Sequence, residues 1–229
     1  MKKLGLIGGL SWGSTARYYQ IINEGIARRK GGLHSAPLVI ESLDFAAIAA
    51  CASMEDWDCA GSLLVDAARR LQAAGAEGLM VCANSMHTVD KHIIDAVDIP
   101  LLHIADAVGA RMKADGIKTA AIMGTRNVMG EKFYRQCLVS YGVSLLPPDM
   151  ELAEKVDRIV YEELVHGKIN RESERVMKSE LADIAKQQVQ AVVLACTELE
   201  MIVDVKANLL PIYDSMSIHA EAGADFILS

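Results

Sequence analysis

Two short segments of this sequence place a cysteine and hydrogen-bonding side chains directly after an apolar run. Cys82 opens the segment 82–87 (CANSMH), Cys196 opens the segment 196–199 (CTEL), and a helical pattern follows each. Free N–H groups at the start of a helix favour a thiolate, so both thiols are predicted to exchange protons or attack substrates near neutral pH. The alternative interpretation is that each cysteine is a small apolar residue at the end of a strand.

The other cysteines lack these surroundings. Cys51, Cys59 and Cys137 lie within helical patterns and are interpreted as core or surface residues. The total of five is odd and contains no C-x-x-C pair, which fits neither a disulfide framework nor a zinc site. We therefore expect reduced thiols and no bound metal.

Further polar residues lie where strands are expected to end. The segment 8–15 (GGLSWGST) resembles a phosphate-binding loop but has Ser14 in place of the required lysine, so its backbone N–H groups are expected to approach a carboxylate instead. Arg126 is predicted either to bind a carboxylate or to lie in solvent. His87 is interpreted as a core or supporting residue. Candidates with weaker signals are His103, Asp106, Asp214 and His219.

Short apolar runs alternate with longer helical patterns, which is typical of an α/β protein with parallel sheets. The predicted strands cover residues 4–7, 38–40, 79–81, 100–104, 119–123, 143–146, 191–194 and 210–213. Three sequence blocks recur in the same order at intervals of about 110–116 residues, which indicates two similar halves. We expect residues 1–103 to form the first half, with a closing helix at 214–229 packing back on it, and 104–213 to form the second.

Composition excludes several classes of protein. The 229 residues are 52% hydrophobic with a formal net charge of −7, which provides a substantial core and argues against nucleic-acid binding. No apolar run approaches the roughly 18–20 residues of a membrane helix, and the start lacks the pattern of a secretory signal. We expect a soluble, cytoplasmic protein without a membrane partner.

The segments 5–12 (GLIGGLSW), 82–87, 124–126 (GTR) and 195–198 (ACTE) together resemble the aspartate/glutamate racemase family over essentially the whole chain. The similarity is greatest to the branch of broad-specificity amino-acid racemases. This resemblance implies two pseudo-symmetric α/β domains with an interdomain active site, no cofactor, a free amino acid as substrate and a homodimer.

The resemblance also implies roles for individual residues. Cys82 and Cys196 would be the two proton-transfer groups. The residues that would hold the substrate are Ser11, Asn84, Ser85, Thr125, Lys168 and Thr197. Aspartate-specific relatives place an arginine after the second strand, whereas residues 39–48 contain no Arg or Lys. Strict specificity for aspartate is therefore not expected.

Racemisation requires a proton to leave Cα on one face and another to arrive on the opposite face. Two groups that flank the carbon can do this without rotation of the substrate, one acting as thiolate base and the other as thiol acid. Two alternatives remain open. A related cysteine-dependent isomerase or lyase, such as a hydantoin racemase or a decarboxylase, would use the same scaffold, although a decarboxylase needs only one cysteine. A non-enzymatic amino-acid-binding protein would give paired thiols no role.

Overall fold

The computed structural model describes residues 1–53 and 56–229. They contain two four-stranded parallel sheets, with strand orders β2-β1-β3-β4 and β6-β5-β7-β8. The strands are β1 Leu4–Gly8, β2 Leu38–Ser42, β3 Gly78–Val81, β4 Leu101–Leu102, β5 Thr119–Met123, β6 Ser144–Leu145, β7 Ala191–Leu194 and β8 Ile212–Asp214. The expected α/β class with two parallel sheets is confirmed. The chain forms two compact units, one of Met1–Ile104 with His219–Ser229 and the other of Ala105–Ile218.

Helices flank the strands in both units. They are α1 Trp12–Lys30, α2 Phe45–Ser53, α3 Trp57–Ala73, α4 Asp90–Ile94, α5 Ile104–Ala114, α6 Arg126–Gly130, α7 Lys132–Ser140, α8 Met150–Glu162, α9 Arg171–Ala185 and α10 Ser215–Leu228. Every residue of β1, β3 and β7 is buried, as expected for interior parallel strands that are covered on both faces. The apolar runs of these strands are therefore continuous rather than alternating.

In the first unit, the C-terminal end of α10 packs against the sheet. Gly223 lies so close to the sheet that an added Cβ would be 2.6 Å from the sulfur of Met80, and Gly78 leaves room for the ring of Phe226. Small residues at these positions allow the helix to approach the strands closely. The second unit has its own core, in which α8 and α9 pack their apolar faces against β5 and β7.

The expectation that all the thiols are reduced is wrong for two of the cysteines. Cys51, near the end of α2, and Cys59, in the first turn of α3, form a disulfide with their Cα atoms 5.7 Å apart. The helical patterns place each residue correctly, but they do not reveal that the two helix ends meet. Cys82, Cys137 and Cys196 are free thiols.

None of the described helices is both long enough and apolar enough to span a membrane.

Candidate active site

Cys82 is held at the end of an interior strand of the first sheet. Its backbone N–H donates to the carbonyl of Ile7 at 2.9 Å, which continues the pairing of β1 with β3, and its side chain is buried. A 3-10 helix at Ser85–Val89 follows, with the buried Asn84 at its N-cap position and Ser85 half-buried. The thiol, an amide and a hydroxyl thus come from four consecutive residues at one strand end.

His87 fixes the backbone directly after Cys82. Its Nδ1 lies 2.8 Å from the carbonyl of Ala83 and must carry the proton, since a carbonyl only accepts. The Nε2 atom accepts from the backbone N–H of Ile104 at 3.3 Å. Burial lowers the pKa of His87 well below its usual value, and the nearby His103 and His219 lower it further. His87 is therefore neutral, and both of its ring nitrogens are hydrogen-bonded to the backbone. This agrees with its interpretation as a core or supporting residue.

The glycine-rich turn lies beside Cys82, because Ile7 and Val81 are partners in the pairing of β1 with β3. Gly9 has φ 73°, and an added Cβ would collide with the backbone of Leu43. The Thr15 hydroxyl accepts from the Gly9 N–H and donates to the Ser11 carbonyl, both at 2.9 Å. Ser11 is the N-cap of α1, and its hydroxyl accepts from the Ser14 N–H. The turn is thus rigid, with Ser11 buried in it.

Cys196 has the matching position in the second sheet. Ala195 donates to the Met123 carbonyl at 2.8 Å, and Met123 pairs with Leu194, so β5 and β7 end side by side. Cys196 and Thr197 are buried. Thr125, also buried, is the N-cap of α6 at the neighbouring strand end.

A buried carboxylate contacts this second thiol. The Sγ atom of Cys196 donates to Oε2 of Glu198 at 3.2 Å, and the Thr197 hydroxyl donates to the same oxygen at 2.8 Å. Glu198 is only 7% exposed. The sequence analysis gave Glu198 no role. An acidic residue two positions after a cysteine at a strand end could have indicated a carboxylate in contact with the thiol.

The expectation that both thiols favour the thiolate is wrong, because both pKa values are raised in this structure. Burial raises the pKa of Cys82, and it raises that of Cys196 even though the backbone N–H groups of Glu198 and Leu199 act in the opposite direction. The charge of Glu198 raises the pKa of Cys196 further. The 3-10 helices that follow the cysteines are short, so their favourable dipoles do not offset the cost of burying a charge.

Arg126 is already paired. Its backbone N–H donates to Oδ1 of Asp157 at 2.9 Å, and its Nε donates to Oδ2 of the same carboxylate at 2.5 Å. Tyr161, one turn further along α8, has its pKa raised to about 12 by burial and by the charges of Cys196, Asp157 and Glu198. Tyr161 therefore remains a neutral phenol near the second thiol.

The other sequence candidates lie in different surroundings. Asp214 is buried and accepts from the N–H groups of Met216 and Ser217, which caps α10. Asp106 is exposed and accepts from the thiol of Cys137 at 3.1 Å. Lys168 is exposed after Gly167, which adopts a left-handed conformation. The structure thus gives Asp214 a capping role and leaves Lys168 on the surface of the second unit.

The fold and the site together define a class of α/β proteins with two similar parallel sheets. In each sheet, a buried, free cysteine follows the end of an interior strand. The model of the Asp/Glu/Hydantoin racemase family matches residues 7–223. The chain belongs to this family, which confirms the resemblance inferred from its sequence.

Individual relatives agree with this assignment. The crystal structure of a "putative Asp/Glu Racemase" from Yersinia pestis is 41% identical with a TM-score of 0.91, and 100% of each chain is covered. An aspartate racemase homologue from Pyrococcus horikoshii is 29% identical with a TM-score of 0.84, again over 100% of each chain. The broad specificity amino-acid racemase RacX of Bacillus subtilis is 21% identical over 167 residues, which covers 73% of this chain and 72% of that protein.

Proposed function

We propose that the protein is a cofactor-independent racemase of free amino acids, in which Cys82 and Cys196 transfer protons on opposite faces of Cα. The observation that carries the proposal is the pair of free, buried cysteines at equivalent strand ends of the two sheets, in a chain of a racemase family. A single thiol would serve a lyase, whereas two at matching positions suit an exchange of protons on two faces.

Burial of the thiols fits this chemistry. The Cα proton of an amino acid is only weakly acidic, so its removal needs a strong base, and a thiolate whose pKa is raised is a stronger base than an ordinary one. The cost is that few molecules carry a thiolate at neutral pH. A substrate ammonium group next to a thiol lowers the thiol pKa, because opposite charges attract, and so promotes ionisation once the substrate has bound.

We assign the remaining polar groups to the substrate. Hydrogen bonds from preorganised donors stabilise the charge that develops on the substrate carboxylate as the Cα proton leaves. The residues proposed for this work, and for holding the amine, are Ser11, Asn84, Ser85, Thr125, Lys168 and Thr197. Four of them, Ser11, Asn84, Thr125 and Thr197, are buried polar residues in turns that follow interior strands.

The test is a racemisation screen over the common amino acids without added cofactor, monitored by chiral chromatography. The expected result is interconversion of L and D forms that Cys82→Ser and Cys196→Ser abolish. Cys137→Ser is the matched control, because this half-buried thiol donates to Asp106 and should be dispensable. Activity on hydantoins alone would instead assign the hydantoin branch of the family. Racemisation at the wild-type rate by either single variant would contradict the two-cysteine mechanism.

Substrate specificity gives a second prediction. Residues 39–48, which run from β2 into α2, contain no cation that could bind a side-chain carboxylate, and Glu41 among them is paired with Arg70 at 2.8 Å. We expect uncharged or polar amino acids to be accepted alongside aspartate or in preference to it. The measurement is kcat/KM for each substrate found in the screen. Activity confined to aspartate would refute this expectation.

The homodimer implied by the family resemblance and the cytoplasmic location expected from the composition stay predictions. Light scattering of the purified protein would test the first, and cell fractionation would test the second.

A further inference from the structure

Glu198 is a buried carboxylate that the mechanism above does not use. Buried acidic side chains are rare unless they are bonded, because removing a charge from water is costly. Among the described residues, the other acidic side chain buried to a similar degree is Asp214, and it caps a helix. The Oε2 atom of Glu198 instead accepts from the Cys196 thiol and the Thr197 hydroxyl.

We propose that Glu198 is a positioning residue that keeps Cys196 in the thiol form, so that Cys196 is the proton donor in the resting enzyme. This inference rests on the proposed function, because it concerns how the two cysteines divide the acid and base roles. It goes beyond that function in assigning the resting roles unequally.

The geometry supports this role in two ways. A carboxylate only accepts, so its contact with Sγ requires the proton to be on sulfur. A thiolate in the same position would lie 3.2 Å from a negatively charged oxygen in a poorly hydrated environment, where like charges repel strongly. The hydroxyl of Thr197 holds Oε2 in place and leaves its own oxygen able to accept from a substrate ammonium group.

The other titratable groups near this thiol do not replace Glu198. The charges of Arg126 and Asp157 largely compensate each other in their ion pair, and Tyr161 is a neutral phenol at physiological pH. In the first unit, burial by itself accounts for the raised pKa of Cys82. The carboxylate bonded to Cys196 is therefore a negative charge for which the Cys82 thiol has no counterpart among the causes of its raised pKa.

The difference has a consequence for the reaction. Racemisation needs one thiolate and one thiol at the same time, and the proton taken by the thiolate balances the proton given by the thiol. With Cys196 held as the thiol, Cys82 is the cysteine that ionises first. The equilibrium constant between enantiomers is one, so kcat/KM remains equal in both directions, and the asymmetry must be sought in thiol ionisation and in the pH profile.

The experiment measures alkylation of each cysteine by iodoacetamide between pH 6 and 10, with mass spectrometry to separate the Cys82 and Cys196 peptides. In Glu198→Gln, which keeps the shape but removes the charge, the rate at Cys196 should rise at least about tenfold at pH 8, equivalent to one unit of thiol pKa. The rate at Cys82 should not change. A change in access scales the rate equally at every pH, whereas a change in ionisation moves the curve along the pH axis.

Glu200→Gln is the matched control, since it removes the same charge two residues away, and it should leave both alkylation curves as in the wild type. In racemisation assays, the falling limb of kcat/KM should move to lower pH in Glu198→Gln as Cys196 loses its donor proton more easily. If that variant fails to fold, Glu198→Asp replaces it, because withdrawing the carboxylate from Sγ must also move the Cys196 curve to lower pH.

An unmoved Cys196 curve in a folded Glu198 variant would overturn the inference. A shifted curve in a protein that racemises no amino acid would support the role of Glu198 at Cys196 but contradict the proposed function. The two failures are therefore distinguishable.

Discussion

The two thiols present similar chemistry in different electrostatic surroundings. Cys82 is buried beside a turn that His87 holds in place, whereas Cys196 donates to a carboxylate. Each thiol is attached to its own sheet and is supported by its own turn. Each should therefore be able to abstract and return a proton independently of the other.

Solvent exchange tests this independence. In deuterated water, Cys82→Ser should lose exchange of the Cα hydrogen from one enantiomer, and Cys196→Ser should lose it from the other. The expected loss is at least about 100-fold, because a hydroxyl is a far weaker acid and base than a thiol. Proton NMR of the L and D substrates incubated with each variant measures both rates.

The enantiomer facing the remaining cysteine should still exchange without racemising, and Cys137→Ser should behave like the wild type. Loss of exchange from both enantiomers in a folded single variant would show that the thiols act only as a pair.

Sequence reasoning at this scale identified the cysteines but not their protonation states. A cysteine after an apolar run predicts the strand end correctly, since that depends on local pattern. The pKa of the thiol depends on burial by distant segments and on the direction of the Glu198 side chain, and the sequence encodes neither in its spacing. The expectation of thiolates failed for that reason.

At the scale of elements, His219 ties α10 to the rest of the first unit. Its Nε2 donates to the Leu102 carbonyl at 2.8 Å, at the end of β4, and its Nδ1 accepts from the Tyr18 hydroxyl of α1 at 2.9 Å. The side chain is fully buried, its bond to Tyr18 is buried, and its bond to Leu102 is part-buried. One residue near the C-terminus thus joins a helix from the start of the chain to the edge of the sheet.

Replacing His219 with leucine should destabilise the protein by about 1–3 kcal/mol, because it removes one hydrogen bond from the buried Tyr18 hydroxyl and one from the part-buried Leu102 carbonyl. Urea unfolding followed by circular dichroism measures the change. His34→Leu is the control, since His34 is exposed and its replacement should change stability little. A His219→Leu variant as stable as the wild type would mean that water or repacking satisfies both groups.

Strands were predicted more accurately than helices. The runs 119–123 and 191–194 coincide with β5 and β7, because continuous apolar segments leave little choice of register. The helical pattern that follows Cys82 instead forms a 3-10 turn and the short α4, since the chain tightens around Cys82 and His87. Such differences depend on tertiary contacts that periodicity does not express.

At the scale of the whole molecule, buried titratable groups determine how stability depends on pH. The pKa of His219 is lowered to about 3, and that of His87 is also lowered, chiefly by burial. Both are neutral in the folded protein while an unfolded histidine gains a proton below about pH 6.5. Their contribution to stability is therefore complete above that pH and decreases as the pH falls.

The thiols act in the opposite direction. The folded pKa values of Cys82 and Cys196 are raised, whereas an unfolded cysteine loses its proton near about pH 8.5. Above that pH the unfolded chain binds fewer protons than the folded one, so the free energy of unfolding decreases as the pH rises. Each thiol that stays protonated contributes a slope of about 1.4 kcal/mol per pH unit.

We therefore expect the free energy of unfolding to be greatest between about pH 6.5 and 8.5 and to fall on both sides. The measurement is a series of urea titrations from pH 5 to 10.

Cys82→Ala should remove up to about 1.4 kcal/mol per pH unit from the alkaline slope, because alanine does not titrate. Val81→Ala is the matched control, since this buried neighbour should lower stability equally at every pH. An alkaline slope identical in Cys82→Ala and Val81→Ala would show that the Cys82 thiol ionises as readily in the folded protein as in the unfolded chain. That result would contradict the statement that burial raises the pKa of Cys82.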